Sequence, residues 1–479
     1  MNPRLARGAR VRIDPRDGTP ILLSPERGLR LSATAAAVVD LCDGTRTLDA
    51  MVESLAARYP DTDRDRLAQD VRALLDDLHK RGLIDDFEMH GWRGTQGSPQ
   101  GPPLADRPDP RSAASPASSG TEAPYTLVAE LTHRCALACP YCSNPRELVR
   151  GHDELSTGEW LRVVDDAASL GVMQAHLTGG EPLARGDLEA IAARARARDL
   201  YVNLVTSGVP LERERLARLA PSIDHVQLSV QDADAGGSDR IAGHASFDQK
   251  MRVAAWVKEL GLPLTINVVL HRENLDRIEE IVTMAERLAA DRLELANVQL
   301  VSWALDNRAA LLPSGAQIER ARAVAVAANA RLEGRMQLVF VLPDWHADRP
   351  RACMDGWARR FLVVAPDGAV LPCQAARALP LPFETVRERR LRDIWEDNAA
   401  LRAFRGEDWM PEPCKSCDRR AIDFGGCRCQ AFALTGDAGA TDPACPLSPH
   451  HALVRTARAD AEQPGERRLL YRGRGGRPG

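Results

Sequence analysis

The sequence predicts an α/β protein: a partial (β/α)6 TIM-like barrel, preceded by a small winged-helix-like α+β domain and followed by a cysteine-rich domain. Three observations carry this expectation. From residue 125, six strand-like runs alternate with helical segments; a Pro-, Gly- and Ser-rich stretch sets that region apart from a separate apolar pattern at the N-terminus; and the cysteines gather in two groups, Cys135 to Cys142 and Cys353 to Cys445, with Cys42 alone. The expected boundaries are 1–90 for the N-terminal domain, 91–124 for a flexible linker, 125–334 for the barrel, 335–451 for the cysteine-rich domain and 452–479 for a disordered tail.

Residues 9–32 alternate apolar and polar around the turn Asp17-Gly18, the pattern of a hairpin or meander. Ser32 can cap a first helix expected to end at Gly44, and Thr47 can start a second. Leu67, Val71, Leu74, Leu75 and Leu78 form a stripe on a third. Residues 91–124 have no apolar period; as a flexible coil they would span roughly 30 Å, so the module can reach the rest of the chain without being fixed to it.

The six barrel runs are TLVAELT, MQAHLTG, YVNLVTS, HVQLSVQ, LTINVVL and LELANVQL, and the first helix opens on the capping box Ser156 to Glu159. In such a barrel functional groups collect where strands end. The second strand ends in Thr178-Gly179-Gly180-Glu181-Pro182, where glycines let backbone approach a ligand and Glu181 can accept from an amino group. The third ends in Thr206-Ser207-Gly208, the fourth in Ser229, Gln231 and Asp232, the fifth in Asn267 to His271 and the sixth in Gln299, all suited to hydrogen-bonding a polar ligand. The arginine-rich end, YRGRGGRPG, reads as a solvated tail.

Composition narrows the class. Hydrophobic residues at 44%, charged residues at 27% and a net charge of -4 are those of a soluble globular protein with no global pull toward nucleic acid. The opening MNPRLARGARVRID has no apolar h-region and no run of apolar residues is long enough to span a bilayer, so neither secretion nor membrane insertion is expected, and the cytoplasm is. In that reducing compartment eleven cysteines suggest metal ligands or redox groups rather than disulfides.

Cys135, Cys139 and Cys142 form C-x-x-x-C-x-x-C directly after the first barrel strand, with Tyr141 before the last cysteine. Three thiolates can bind three irons of a [4Fe-4S] cube and leave the fourth open to an exogenous ligand. The competing readings are a zinc site with a distant fourth ligand, or three buried thiols; zinc sites usually show paired C-x-x-C spacing. The triad resembles the signature of the radical S-adenosylmethionine (SAM) superfamily, and the Gly179-Gly180-Glu181 turn resembles its motif for the methionine part of SAM. That resemblance implies that Tyr141, Thr178, Gly179, Gly180, Glu181, Thr206, Ser207, Ser229, Gln231, Asn267 and Gln299 face the cofactor. It also implies reductive cleavage of SAM to a 5′-deoxyadenosyl radical that abstracts hydrogen from carbon.

The remaining group, Cys353, Cys373, Cys414, Cys417, Cys427, Cys429 and Cys445, resembles the SPASM domain of radical SAM peptide maturases, which holds two auxiliary iron-sulfur clusters. In place of the domain's C-x2-C-x5-C-x3-C run this chain has Asp423 at the third position. The implied assignment is Cys353, Cys373, Cys427 and Cys429 on an inner [2Fe-2S] or [4Fe-4S] cluster, and Cys414, Cys417, Asp423 and Cys445 on an outer [4Fe-4S] cluster. A pair of zinc ribbons, and a solvated loop role for Asp423, are the alternatives from spacing alone.

The strings ELTHRCALACPYCSNP, LTGGEPLAR, QLSVQD, WALDNRAALLP, DRPRACMDGW, PDGAVLPCQAA, FRGEDWMPEPCKSC and DFGGCRCQAF resemble PqqE, the radical SAM enzyme family of pyrroloquinoline quinone biosynthesis. RLARGARVRIDP, LLSPERGLRLSATAAAVVDLCDG and LLDDLHKRGLI resemble PqqD, the peptide chaperone of that pathway, so the chain looks like a PqqD-PqqE fusion. The resemblance implies the precursor peptide PqqA as substrate, a bond between a glutamate γ-carbon and a tyrosine ring, and a flavodoxin-type electron donor. Two departures from the family pattern are Leu300-Val301-Ser302 before Trp303, and Gln374, where a histidine usually follows the equivalent of Cys373. A related maturase of a different peptide, and a catalytically silent peptide-binding scaffold, are the other readings.

Overall fold

The computed structural model describes residues 2–6, 9–14, 18–24, 27–81, 83–84, 123–149, 151–463, 465 and 467–472. They divide into two compact units, 1–122 and 123–479. Most of the expected linker lies outside the described residues.

In the first unit β1 (Arg10–Ile13), β2 (Pro20–Ser24) and β3 (Arg27–Arg30) form an antiparallel sheet in that order. Gly18, at φ +73°, turns the chain between β1 and β2, its N–H donating to Asp14 O at 2.9 Å. Three helices follow, Ala33–Val39, Leu48–Arg58 and Arg64–Lys80, N-capped by the side chains of Ser32, Thr47 and Asp63. The first stops at Val39, short of the expected Gly44, because the chain turns at Asp40–Asp43 to bridge back to Arg4. Val71, Leu75 and Leu78 are buried against Leu22, Val39, Met51 and Leu55, a core of the unit's own, with Leu67 and Leu74 at its margin.

The second unit is organised by one nine-stranded sheet. β4 (Thr126–Glu130), β5 (Gln174–Thr178), β6 (Tyr201–Thr206), β7 (His225–Ser229), β8 (Leu264–Leu270) and β9 (Arg292–Asn297) are parallel neighbours in sequence order, at the six expected runs. Alternate residues of each strand, such as Ala175, Leu177, Val202, Leu204, Val226 and Leu228, pack with Trp160, Val163 and Val164 of the helix Thr157–Leu170 and with its neighbours. The intervening residues, among them Glu130, Asn203, Ser229, Asn267 and Glu294, turn to the opposite, inner face. The capping box is present: Ser156 N donates to Glu159 Oε2 at 2.7 Å, and Glu159 N donates to Ser156 Oγ at 3.4 Å.

The sheet does not stop at Gly334. β10 (Gln337–Phe340) pairs in parallel with β9, while β11 (Phe361–Val364) returns to pair in parallel with β4 on the far side and carries β12 (Val370–Leu371) antiparallel to itself. The cysteine-rich region thus completes the barrel's sheet before it diverges. The end of the chain also departs from the expected tail: His451–Glu462 is a helix, with Val454 and Ala461 buried one turn-pair apart against Leu311, Leu312 and Trp345. Among the described residues no helix is long and apolar enough to cross a membrane.

Candidate active site and metal-binding groups

The loop after β4 and the turn after β5 are built as one piece. Leu131 N donates to Thr178 O at 2.9 Å and Glu181 N to Arg134 O at 2.8 Å. At Gly179, whose φ is +135°, a Cβ would lie 2.4 Å from Thr132 O, and at Gly180 it would lie 2.5 Å from Arg134 O. The close approach these glycines permit is therefore to the backbone of the cysteine loop itself.

Glu181 is 1% exposed, and protein donors occupy both its oxygens. Oε1 accepts from Leu183 N at 3.1 Å and Thr206 Oγ1 at 2.6 Å; Oε2 accepts from Ser207 N at 2.8 Å and from the Ser207 hydroxyl. Expected to meet an amino group, it instead ties the end of β5 to the end of β6. Thr206 and Ser207, expected to face a ligand, turn their hydroxyls to this carboxylate.

Cys135, Cys139 and Cys142 are free, half-buried thiols. Burial pushes all three up, Cys139 to about 12, outweighing the positive charges that favour the thiolates, Arg472 near Cys135 and Cys142 and Lys250 near Cys139. Beside them lies a polar string. Lys250, fully buried, donates to Gln231 Oε1, and Tyr141 stands within hydrogen-bonding reach of Gln231 and the Cys139 thiol. Burial lowers Lys250 to about 8, with the Cys139 thiol opposing that shift. Tyr141 also packs on His271, ring centroids 5.6 Å apart.

Ser229 and Asn267 sit half-buried on the inner face, Thr178 is half-buried at the end of β5, and Gln299 is exposed. Around them Asn203, Asn297 and the Nε2 of His271 are buried polar groups with no hydrogen-bond partner among the described residues. Such groups are costly unless a ligand or water meets them. The inner face therefore fits a polar ligand such as SAM beside a thiol-bound cluster.

The later cysteines form two sets. Cys373 Sγ and Cys429 Sγ are 3.6 Å apart, and Cys353 and Cys427 close a ring of four thiols with them. Hydrogen bonds from Cys353 and Cys429 hold Cys373 and Cys427 well below the usual thiol range, and the two donors are pushed well above it. Cys414, Cys417, Asp423 and Cys445 line a separate cleft with Arg349 and Thr441. Asp423 is 7% exposed; burial raises its carboxyl, and Gly425 N donates to its Oδ1 at 3.0 Å. Among the described residues no three thiol, imidazole or carboxylate groups are placed to hold a single metal ion. Soft thiols in these numbers suit polynuclear iron-sulfur ligation instead.

Several residues here escaped the sequence reading, Asn203 and Asn297 among them. Lys250 carried a signal, since it stands at the head of the buried helical stripe Lys250, Val253, Ala254 and Val257. Glu130 was hidden inside a strand run; buried on the inner face, it is pushed up to about 7 and accepts from Gln374 Nε2 at 3.1 Å. Arg472 carried no signal in its arginine- and glycine-rich segment.

A parallel βα sheet whose first strand feeds the cysteine triad, followed by two further thiol sets, defines a radical SAM enzyme with an iron-sulfur SPASM domain. The Radical SAM superfamily matches residues 129–285, the iron-sulfur cluster-binding SPASM domain residues 353–418, and Coenzyme PQQ synthesis protein D (PqqD) residues 21–84. The PqqA peptide cyclase of Granulibacter bethesdensis is 53% identical over 342 residues, covering 71% of this chain and 91% of the relative. That of Methylocella silvestris is 52% identical over 356 residues, covering 73% and 95%. The chain belongs to the PqqA peptide cyclase family and carries a PqqD domain at its N-terminus. Streptococcus suis SuiB bound to S-adenosylmethionine has the same fold, with a TM-score of 0.60 at 17% identity, covering 93% of this chain and 100% of that one. SuiB bound to its precursor peptide SuiA matches with a TM-score of 0.60 at 16% identity and the same coverage.

Proposed function

We propose that this chain performs the first step of pyrroloquinoline quinone biosynthesis, joining a glutamate γ-carbon to a tyrosine ring in the precursor peptide PqqA. One observation carries the reading: β11 lies directly beside β4, so the loop bearing Cys135, Cys139 and Cys142 and the strand pair leading to Cys373 leave adjacent strands of one sheet. Radical generation and onward electron transfer then have neighbouring sites.

When bound, SAM and the first cluster supply a 5′-deoxyadenosyl radical that takes hydrogen from the glutamate carbon. The chain's own residues position and shield. Cys135, Cys139 and Cys142 hold a [4Fe-4S] cluster on a loop braced by the Gly179-Gly180 turn. Lys250, Gln231 and Tyr141 wall its flank, while Ser229, Asn267, Asn203 and His271 offer the inner face polar contacts. Cys353, Cys373, Cys427 and Cys429 hold the inner auxiliary cluster, and Cys414, Cys417, Asp423 and Cys445 the outer one. The product loses two hydrogens: one would pass as an atom to the deoxyadenosyl radical, and the other would leave the ring as an electron and a proton, the electron to a cluster that Cys353, Cys373, Cys427 and Cys429 would hold. A flavodoxin-type donor in the cytoplasm supplies the reducing electron. The PqqD domain, residues 1–90, captures the peptide by β-augmentation at a strand edge.

Full-length protein reconstituted with iron and sulfide, then given SAM, reductant and a peptide containing Glu-x-x-x-Tyr, tests this. Deoxyadenosine together with a peptide lighter by two hydrogens and crosslinked between Glu and Tyr is the expected result. Deoxyadenosine with unmodified PqqA, but a modified peptide of another sequence, would assign the chain to a different substrate.

A further inference from the structure

The last described residues run across the cysteine loop. The helix His451–Glu462 is fixed first, with Arg272 donating to Ala461 O and Gly315 N to Glu462 Oε1 at 2.6 Å. Asn307 then grips Leu470 from both sides, its Nδ2 donating to Leu470 O at 2.9 Å and its Oδ1 accepting from Leu470 N at 2.7 Å. The same Nδ2 reaches Pro140 O, inside the cysteine triad, at 2.9 Å. Tyr471 donates to Arg240 O at 2.9 Å, and its ring lies so close over Gly243 that a Cβ there would stand 3.1 Å from it. Arg472 is 8% exposed. Its N–H donates to Ala138 O at 3.1 Å, and its guanidinium to the carbonyls of His133 at 3.4 Å, Cys135 at 3.3 Å and Leu137 at 2.8 Å.

Among the described residues this guanidinium forms no ion pair. A buried cation served only by neutral carbonyls is costly unless an anion stands near it. The three cysteines of the loop it clasps become that anion when they ligate iron as thiolates. Because the carbonyls belong to the loop's own peptide units, the same contacts fix the loop's shape.

We propose that residues 467–472 form a latch that holds the cysteine loop in its cluster-binding conformation, with Arg472 as the positioning residue and the counter-charge to the thiolates. This rests on the reading of the triad as a cluster site. The latch lies outside the cysteine triad and the strand-end motifs, and it reaches the loop from the opposite end of the chain.

The test uses reconstituted full-length protein, compared with Arg472→Ala, Arg472→Gln, Arg472→Lys and a chain ending at Gln463. Iron release to a chelator is followed without SAM, with the paramagnetic signals of the auxiliary clusters as internal reference, and the midpoint potential of the first cluster is measured. Arg472→Ala and the shortened chain should release the first cluster's iron at least about tenfold faster, the scale of losing one charge-assisted hydrogen bond, with auxiliary signals unchanged. The potential should move negative in Arg472→Ala and Arg472→Gln and stay near the parent in Arg472→Lys, a separation that a purely steric role would not produce. Parental release rates in both Arg472→Ala and the shortened chain would overturn the latch. Equal loss of auxiliary signals would overturn it too, since the damage would not be confined to the loop. A Cys135→Ala, Cys139→Ala, Cys142→Ala protein that retains all the parent's iron would instead refute the cluster reading beneath it.

Discussion

Replacing Glu181 by glutamine separates two roles for the Gly-Gly-Glu turn. The carboxylate receives two donors on each oxygen, and one donor on each side is a backbone N–H, Leu183 on Oε1 and Ser207 on Oε2. Glutamine offers one oxygen and one NH2. The hydroxyls of Thr206 and Ser207 can rotate to accept from that NH2, but a backbone N–H cannot. Whichever way the amide faces, one buried N–H is left pointing at another donor, and the bonds that remain lose their charge assistance. An orphaned buried donor costs about 1–3 kcal/mol, and weakening the retained bonds adds about 1 kcal/mol, so about 2–4 kcal/mol is expected. Hydrogen exchange of the peptide spanning 181–208, measured without SAM, should therefore speed by a factor of about 30 to 1000 at Leu183 or Ser207. Parental exchange without SAM, combined with weaker SAM binding, would refute the bracing role and restore Glu181 as a direct ligand to the cofactor.

The other expectations concern metal and peptide. Changing Cys135, Cys139 and Cys142 together to Ala should abolish deoxyadenosine formation while leaving the auxiliary iron measurable, because the ligand sets are separate. Asp423→Cys should keep a four-iron outer cluster at a shifted potential, and Asp423→Ala should leave it with a labile iron; spectra and potentials matching the parent in both would make Asp423 a loop carboxylate only. Leu75→Ala, at a fully buried position in the first unit, should cost that unit about 2–5 kcal/mol. Peptide crosslinking should fall with SAM cleavage retained, as it should on deletion of residues 1–122; adding residues 1–90 in trans to the deleted chain should restore crosslinking.

What could be read from the sequence follows from how locally each feature is encoded. The six barrel strands are short apolar runs bounded by polar or glycine residues, and burial of both faces leaves that mark wherever the strand pairs. β11 is four residues long and β12 two, and β11 finds its place only against β4, far away in the chain, so neither period nor length announces it. The triad cysteines were legible because they follow a strand run directly, in a spacing that resembles the radical SAM signature and lacks the paired C-x-x-C of zinc sites. The two sets of later cysteines were separable only through resemblance, since Cys427 and Cys429 are near neighbours of Asp423 yet join Cys353 and Cys373. The partner of Glu181 could not be read, because a buried carboxylate suits a ligand's amino group and a neighbouring strand's hydroxyls equally well. The terminal segment was misread for the opposite reason: Arg472 is held through carbonyls, which every residue carries and no sequence displays.

The pairing of β4 with β11 also explains why the departure at residue 374 matters. Glu130 is the last residue of β4, five positions before Cys135, and Gln374 follows Cys373, so their 3.1 Å hydrogen bond spans the two cluster-bearing loops. Burial pushes the Glu130 carboxyl up to about 7, with the Gln374 bond and then Arg377 opposing that shift. Gln374 is a neutral donor at every physiological pH, so the carboxyl alone can change charge in this pair. A histidine at 374, the residue that the family pattern leads one to expect, would add a second titrating group and stabilise the carboxylate whenever it was protonated. With glutamine the proton on Glu130 answers to its burial and to the charge of the groups around it.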